Sequence, residues 1–409
     1  MKSTSPISST ELLQDRIDAT IRRVGRLEPT EHDYNSFVPY APSTSRPFVR
    51  LGDRELLMMS GYSYLGLNGD PRVIAAAKEA AETYGTGAHG VRALAGTMPI
   101  HRELEQRIAA WGNRENALVF TSGYAVNMGV IGALTGEGDT ILLDKYAHAS
   151  LVDGAKLSGA NTVRFRHNDP VHLDARLSST PAGGIRLVIV DSVYSMDGDI
   201  APLPELREVC DQHGALLMVD EAHALGVIGE TGKGIEEHFG NSVRADIKVG
   251  TLSKGIPSVG GWVMGSEELV YHLRYAARPF LFSAALPAAQ VGAALESLRI
   301  LESEPWRVKH IQTESTRFRT IMTESGLRTG DSETAVVPLI IGSDAEAYAF
   351  ATLCRDLGVV GLPVVTPAVP TNLARLRIAI TAMHTQDDIN AAAEVFTTAA
   401  RRQGIVEDL

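Results

Sequence analysis

Between residues 117 and 250 the chain repeats one pattern: a short apolar run ends on a polar residue and gives way to a helical stretch. The runs lie at 117–120 (ALVF), 140–143 (TILL), 162–165 (TVRF), 187–190 (LVIV), 216–219 (LLMV) and 247–250 (IKVG). Helical spacing fills several of the gaps, for example over 124–135 and 204–213. Strands that lack polar alternation are buried on both faces, and strands that alternate with helices pair in parallel. The pattern therefore predicts an α/β fold, an open and mostly parallel sheet covered on both sides. Residues 51–285 read as this large domain. After Pro287 a helix to about 302 opens a more mixed rhythm, read as a smaller C-terminal α+β domain over 286–409. Residues 1–50 read as an N-terminal arm, with a charged amphipathic helix over 8–25 and a Pro/Ser-containing connection over 28–48.

Several function classes are disfavoured at once. The 49 acidic against 38 basic residues leave a net charge of -11, and the arginine pairs at 22–23 and 401–402 are short. That balance argues against a nucleic-acid surface. No uninterrupted apolar stretch approaches the length of a membrane span, and the polar N-terminus does not read as a signal peptide, so a cytoplasmic protein is expected. Cys210 and Cys354 read as reduced, buried thiols. The glycines at 85–90 lack the strand–turn–helix context of a dinucleotide fingerprint.

Ligands of open α/β sheets collect beyond the carboxyl ends of the strands. Asp144, Asp191, Asp220 and the segment Thr251–Lys254 all follow such ends. Lys254 lies between a strand and a glycine-containing loop. Desolvation or a neighbouring cation frees a lysine amine for Schiff-base chemistry, although Thr-x-x-Lys by itself also describes a surface lysine. Thr251 directs its hydroxyl toward the same volume. Asp220 suits an ion pair with a protonated pyridine nitrogen, and His223, three residues on, suits a hydrogen bond to a ring phenolate. A metal site or a structural polar cluster are the competing readings of that pair, and no compact third metal ligand accompanies it. Ser122, Gly123 and Tyr124 open a helix, where a hydroxyl and free N–H groups seat a phosphate or simply cap the helix. His148 reads either as a structural residue or as a planar ring over a planar cofactor. Ser195, in a polar strand exit rich in turn formers, is a candidate cofactor or substrate contact.

These segments stand in a recognisable order: YLGL at 64–67, TSGYAVN at 121–127, HASLVDG at 148–154, SMDGDIAPL at 195–203, VDEAHALGVIGETGKG at 219–234, TLSK at 251–254 and ARLRIAITAMHT at 374–385. Together, from about Met58 to Asp388, they resemble the α-oxoamine synthase family of fold-type I enzymes, which depend on pyridoxal 5'-phosphate (PLP). The resemblance implies that Lys254 carries the cofactor and then acts as acid and base. It implies that Asp220 pairs with the pyridine nitrogen, His223 holds the ring phenolate, His148 stacks on the ring, Ser195 lies beside it and Thr251 contacts the phosphate. Arg377 falls at the position that binds the substrate carboxylate, while Arg375 reads as a packing residue or a surface pair. Ser283 resembles the segment that reaches a partner subunit's phosphate, which implies a homodimer with active sites at the interface. Tyr62, in GYSYLGL, resembles the serine palmitoyltransferase pattern and is a candidate substrate contact. His89 and the segment Gly255–Ser258 depart from the family's usual loops.

The reaction so implied joins a small amino acid (serine, alanine or glycine) to an acyl thioester, with loss of the amino acid's carboxylate, to give an α-aminoketone. Coenzyme A and an acyl carrier protein are both open as the thioester's carrier. A PLP-dependent aminotransferase is the alternative enzyme, and a catalytically inactive partner subunit of such a synthase the alternative to any enzyme. The joint presence of Lys254, Asp220, His223 and Arg377 argues against the inactive partner.

Overall fold

The structure, a computed structural model, describes residues 9–24, 40–42, 46–181 and 183–406. All six expected strands are present: β1 (Asn116–Phe120), β2 (Thr140–Asp144), β3 (Asn161–Phe165), β4 (Arg186–Asp191), β5 (Leu216–Asp220) and β6 (Ile247–Ser253). A seventh, β7 (Pro257–Gly265), completes the sheet in the order β1-β7-β6-β5-β4-β2-β3. Strands β2 to β6 pair in parallel, and β7 runs antiparallel to both β1 and β6.

Alternate residues of each strand enter different cores, as the two-residue period of a strand requires. Leu118, Leu143, Ile189, Met218 and Val249 pack with helices Gly123–Leu134, Ala149–Ser158 and Glu267–Ala276 on one face. Val119, Leu142, Val190, Leu217 and Leu252 pack with helices Pro99–Trp111, Leu203–His213 and Ala288–Ser303 on the other. At about 25 cal/mol per Å² of apolar area removed from water, this two-sided burial dominates what holds the sheet between its helices. A further core joins Leu57 and Met59 to Phe318, Phe350, Leu376 and Phe396. It belongs to smaller α+β elements built on a three-stranded antiparallel sheet of Val336–Gly342, Ala374–Ala379 and Leu362–Val364.

The predicted N-terminal helix is observed as Ser9–Val24, whereas residues 28–39 and 43–45 of the expected connection lie outside the described residues. Both cysteines are free and buried, and burial pushes the Cys210 thiol up to about 12. Among the described residues no helix is long and apolar enough to cross a membrane.

Candidate active site

The carboxyl ends of β2, β4, β5 and β6 open on one side of the sheet, and the smaller α+β elements bring Arg377 to them. Asp220, the last residue of β5, is buried. One of its carboxylate oxygens accepts the Ala222 N–H (2.9 Å) and the other the Asn127 side-chain amide (2.7 Å). The Asn127 amide also donates to the Ser150 hydroxyl (2.9 Å), which lies 2.7 Å from His148 Nδ1. A chain of polar contacts thus runs from Asp220 through Asn127 and Ser150 to His148. His148 Nδ1 also accepts the Ser150 N–H (3.2 Å), so the proton of the neutral ring is assigned to Nε2. The ring itself is exposed at the start of helix Ala149–Ser158.

His223 sits in a second buried group. Its Nδ1 lies 2.8 Å from the Tyr64 hydroxyl and 3.4 Å from Arg377 Nη2, and Arg377 Nη2 donates to that same hydroxyl (3.0 Å). A guanidinium only donates, so His223 Nδ1 accepts and Nε2 carries the hydrogen. Burial holds the His223 pKa well below its ordinary value, helped by the Lys254 and Arg377 charges. Arg377 Nε donates to the Ser195 carbonyl (2.5 Å), which ties the guanidinium to the loop after β4.

Lys254 follows β6 directly. Burial lowers its pKa and Arg377 adds to the effect, against the opposing pull of Asp220 and Asp191. Its Nζ lies 5.8 Å from the centre of the Tyr62 ring, and Arg377 Cζ lies 5.0 Å from the same centre. Tyr62 is itself half exposed, with its ring centroid 6.0 Å from that of His223. The Thr251 hydroxyl contacts Ser253 Oγ (2.7 Å) and donates to the Gly260 carbonyl (3.0 Å). It faces Gly123, where an added Cβ would fall 3.0 Å from Thr251 Cβ and 3.1 Å from its hydroxyl. Ser122 caps helix Gly123–Leu134 by accepting the Ala125 N–H (3.0 Å). The first N–H groups of that helix and the Thr251 hydroxyl therefore border a cradle that any larger residue at 123 would fill.

Lys254, Asp220, His223, Tyr62 and Arg377 converge, with His148 linked through Asn127, and Ser195 joins them through its carbonyl. Ser122, Gly123 and Thr251 form the neighbouring cradle. Two expected residues stand apart. Tyr124 is exposed and hydrogen-bonds Asp153. Among the described residues, Ser283 has no hydrogen bond to any of this group; it adjoins a strand bridge between Val91 and Ala284. Arg375 is fully buried, not at the surface, and pairs with Asp197 (2.5 Å) and the Met196 carbonyl (3.1 Å). Sequence reading missed Tyr64 and Asn127 as site residues, although both lie inside the quoted segments YLGL and TSGYAVN. Among the described residues no cluster of His, Cys, Asp and Glu is arranged to hold a metal ion.

The donor set fits PLP: a desolvated amine, a buried carboxylate with two donors already on it, a neutral imidazole with one N–H to give, and a glycine cradle at a helix N-terminus. Comparison with known proteins agrees. Residues 54–396 match the family of class I and II aminotransferases. The chain is 40% identical to the 8-amino-7-oxononanoate synthase of Symbiobacterium thermophilum over 365 residues, covering 89% of this chain and 93% of that one. It is 39% identical to the serine palmitoyltransferase of Sphingobacterium spiritivorum, covering 85% and 87%. Among solved structures, Sphingomonas wittichii serine palmitoyltransferase superposes with a TM-score of 0.89 at 33% identity, covering 99% of this chain and all of that one. The S. paucimobilis serine palmitoyltransferase with bound PLP–myriocin gives 0.88 at 33% identity, covering 97% and 98%. The chain belongs to the class I and II aminotransferase family, as a PLP-dependent enzyme of the α-oxoamine synthase branch whose chemistry is decarboxylative condensation of an amino acid with an acyl thioester.

Proposed function

We propose that this cleft condenses serine, alanine or glycine with an acyl thioester, and that Lys254 and Arg377 carry the two ends of the amino acid's chemistry. The observation that supports the reading is their convergence. A lysine amine of lowered pKa and a buried guanidinium lie within 6 Å of one aromatic ring, Tyr62. A group that moves a proton at the α-carbon and a group that grips the α-carboxylate must share a volume of that size.

When bound, PLP supplies an electron sink for the electron pair left on the α-carbon. Asp220 would pair with the pyridine nitrogen and hold its proton, and its second oxygen stays fixed by Asn127. His223 offers its Nε2 hydrogen to the ring oxygen because Tyr64 and Arg377 occupy Nδ1. Ser122, Gly123 and Thr251 would cradle the phosphate, while Ser195, tied to Arg377, would lie on the ring side and Tyr124, bonded to Asp153, stays outside the cradle. Arg377 binds the carboxylate with its planar fork, for which it exchanges part of its hold on Tyr64. Lys254 takes the proton from the α-carbon and returns one to the product. His148 would cover the cofactor face, with Nδ1 held by Ser150 and Nε2 left to donate to the thioester carbonyl, while Tyr62 would line the substrate side.

We infer a homodimer from the same site. Leu94 and Phe282 are 84% and 72% exposed, flanking the bridge that joins Val91 to Ala284 beside Ser283. Large apolar residues so placed favour a covering partner, and Ser283 would then serve the neighbouring site. The expected result is a mass of two chains in sedimentation equilibrium, reduced by Phe282→Asp; a monomer with full turnover would end this part of the reading.

The amino acid and acyl partner are tested together. Purified holoenzyme is titrated with glycine, alanine and serine while its visible spectrum is followed, and then supplied with short- and long-chain acyl-CoA or acyl carrier protein thioesters. Release of thiol and CO2 with one amino acid supports the synthase and names its substrate. Formation of a keto acid without thiol release would move the assignment to an aminotransferase. Lys254→Ala is expected to abolish both cofactor attachment and thiol release.

A further inference from the structure

The exits of β2 and β4, which lead to His148 and Ser195, are joined by a residue from a third strand exit. His167 follows β3 and lies between two carboxylates: its Nδ1 is 3.0 Å from Asp144 Oδ1 and its Nε2 2.7 Å from Asp199 Oδ2. A neutral imidazole has one N–H and cannot donate to both oxygens, so the geometry calls for the imidazolium. Asn168, held at φ +48°, doubles the link. Its N–H donates to Asp144 Oδ2 (3.0 Å) and its side-chain amide to Asp199 Oδ2 (2.7 Å).

Each of the two aspartates also shapes a turn that bears on the active site, Asp144 through its carboxylate and Asp199 through its backbone carbonyl. Asp144 is fully buried, and its Oδ1 accepts the Tyr146 N–H (2.8 Å), setting the path from β2 to His148. Asp191 holds the other end of that path by accepting the His148 N–H (3.0 Å). The Asp199 carbonyl accepts the Tyr194 N–H (3.1 Å), which closes the loop containing Ser195, and the Ser195 carbonyl holds Arg377.

We infer that His167 is a positioning residue whose cation clamps the turn presenting His148 to the loop presenting Ser195 and Arg377. The inference rests on the roles proposed above for those three residues. His167 touches neither cofactor nor substrate; it acts through the spacing of the groups that do.

The groups facing His167 come from three elements. Asp144 stands at the end of β2 and Tyr146 in the turn after it, with ring centroids 4.5 Å apart. Asp199 and Tyr194 face it from the loop after β4, the Tyr194 ring edge-on at 4.3 Å. Lys145 lies farther out, 5.7 Å from the Tyr146 ring, and Asp191 stands behind Asp144, where burial first and then the Asp220 and Asp144 charges push its carboxyl well up. Two hydrogen-bonded carboxylates outweigh burial and raise the His167 pKa to about 9. With a folded pKa above the unfolded value, the clamp is complete below about pH 6.5 and is lost as pH rises through about 9.

The test uses full-length protein and measures PLP affinity by equilibrium dialysis, with circular dichroism of the bound cofactor as a second readout. For His167→Gln the PLP dissociation constant is expected to rise about tenfold at pH 7.5, since a neutral amide forfeits charge-assisted bonds. The further weakening of wild-type affinity above pH 9 should be absent from this variant. Asp199→Asn keeps the Asp144 partner and should move that alkaline limb to lower pH by about one unit. If His167→Gln lowers the unfolding temperature but leaves affinity, dichroism and the alkaline limb as in wild type, His167 is only structural and the inference is overturned. If His167→Gln does not fold, an unmoved limb in Asp199→Asn overturns it equally. Lys254→Ala separates this from the underlying site reading: retained cofactor attachment there would defeat the site, whereas its loss beside an unaffected His167→Gln would defeat the clamp alone.

Discussion

Asn127 donates to the Asp220 carboxylate at 2.7 Å although 93 residues separate them, and among the described residues its side-chain oxygen Oδ1 is buried without a hydrogen-bond partner. Helix Gly123–Leu134 and the end of β5 are thereby locked at the point where the cofactor's ring nitrogen would lie. Asn127→Ala is expected to leave one Asp220 oxygen without its donor and to weaken PLP binding by about 1–2 kcal/mol, roughly tenfold. Asn127→Asp, which brings a second carboxylate beside Asp220, should weaken it further. PLP titration of both variants checks the order; equal affinities would show that the contact does not act through Asp220.

Tyr64 links the two halves of the site, with partners 159 residues away in His223 and 313 away in Arg377. Tyr64→Phe keeps the ring and removes the hydroxyl that fixes both. The expected outcome is a KM for the amino acid raised about five- to tenfold, with a smaller fall in kcat, because the guanidinium must be ordered anew at each binding event. Steady-state kinetics across amino-acid concentration would show it, and a fall in kcat at constant KM would assign Tyr64 to a proton step instead.

What the sequence makes legible here is what obeys a short period. The runs ending at Asp144, Asp191 and Asp220 announce strands because they are almost wholly apolar, the one ending at Ser253 by its shorter apolar start, and the polar residue that closes each marks the ligand edge. Strand β7 breaks the rule. Its glycines are there for close approach: a Cβ on Gly261 would meet the Ser122 carbonyl at 2.3 Å. Those glycines cut its apolar run to Trp262–Met264, so its antiparallel insertion between β1 and β6 is invisible beforehand. Tyr64, Asn127 and His167 are missed for another reason. Each acts through partners brought by other strands and helices, and spacing along one segment does not encode such pairs. Ser283 differs again, because its expected partner is a second copy of the chain.

Gly198 marks where the Ser195 loop docks on the smaller α+β elements. It has φ +73°, and an added Cβ would fall 1.9 Å from the Val336 carbonyl oxygen and 2.8 Å from Ser332 Oγ. Its own carbonyl accepts from Glu333 N–H (3.1 Å) and the Thr334 hydroxyl (3.0 Å). Gly198→Ala combines a left-handed backbone with a clash against backbone atoms, and should cost about 3 kcal/mol or more. Urea unfolding gives the stability. A parallel rise in amino-acid KM is expected, because moving this loop moves the Ser195 carbonyl that holds Arg377.

A buried charge cluster lies beneath the Asp220 loop. Lys248 is 2% exposed, with Nζ 3.0 Å from Glu221 and 3.7 Å from Glu236, and Arg114 completes the group by pairing with Glu236. Glu221 also accepts the Ile235 N–H, which closes the segment between His223 and Ile235 onto the residue that follows β5. Removing one member strands an opposite charge, so Lys248→Met should cost about 3–5 kcal/mol, whereas Lys248→Met combined with Glu221→Gln should recover part of that loss. The pH dependence has a defined sign. Burial raises the Glu221 pKa even beside Lys248, and loss of the cation raises it more. A carboxyl whose folded pKa exceeds its unfolded value costs stability once ionised and ceases to do so as pH falls through the folded pKa. The deficit of Lys248→Met should therefore shrink between pH 7.5 and pH 5.5, while the double variant shows little change. Urea unfolding of wild type, both single variants and the double variant at the two pH values decides it; additive, pH-independent losses would mean that Lys248 and Glu221 stabilise the loop separately, through packing, and not as a pair.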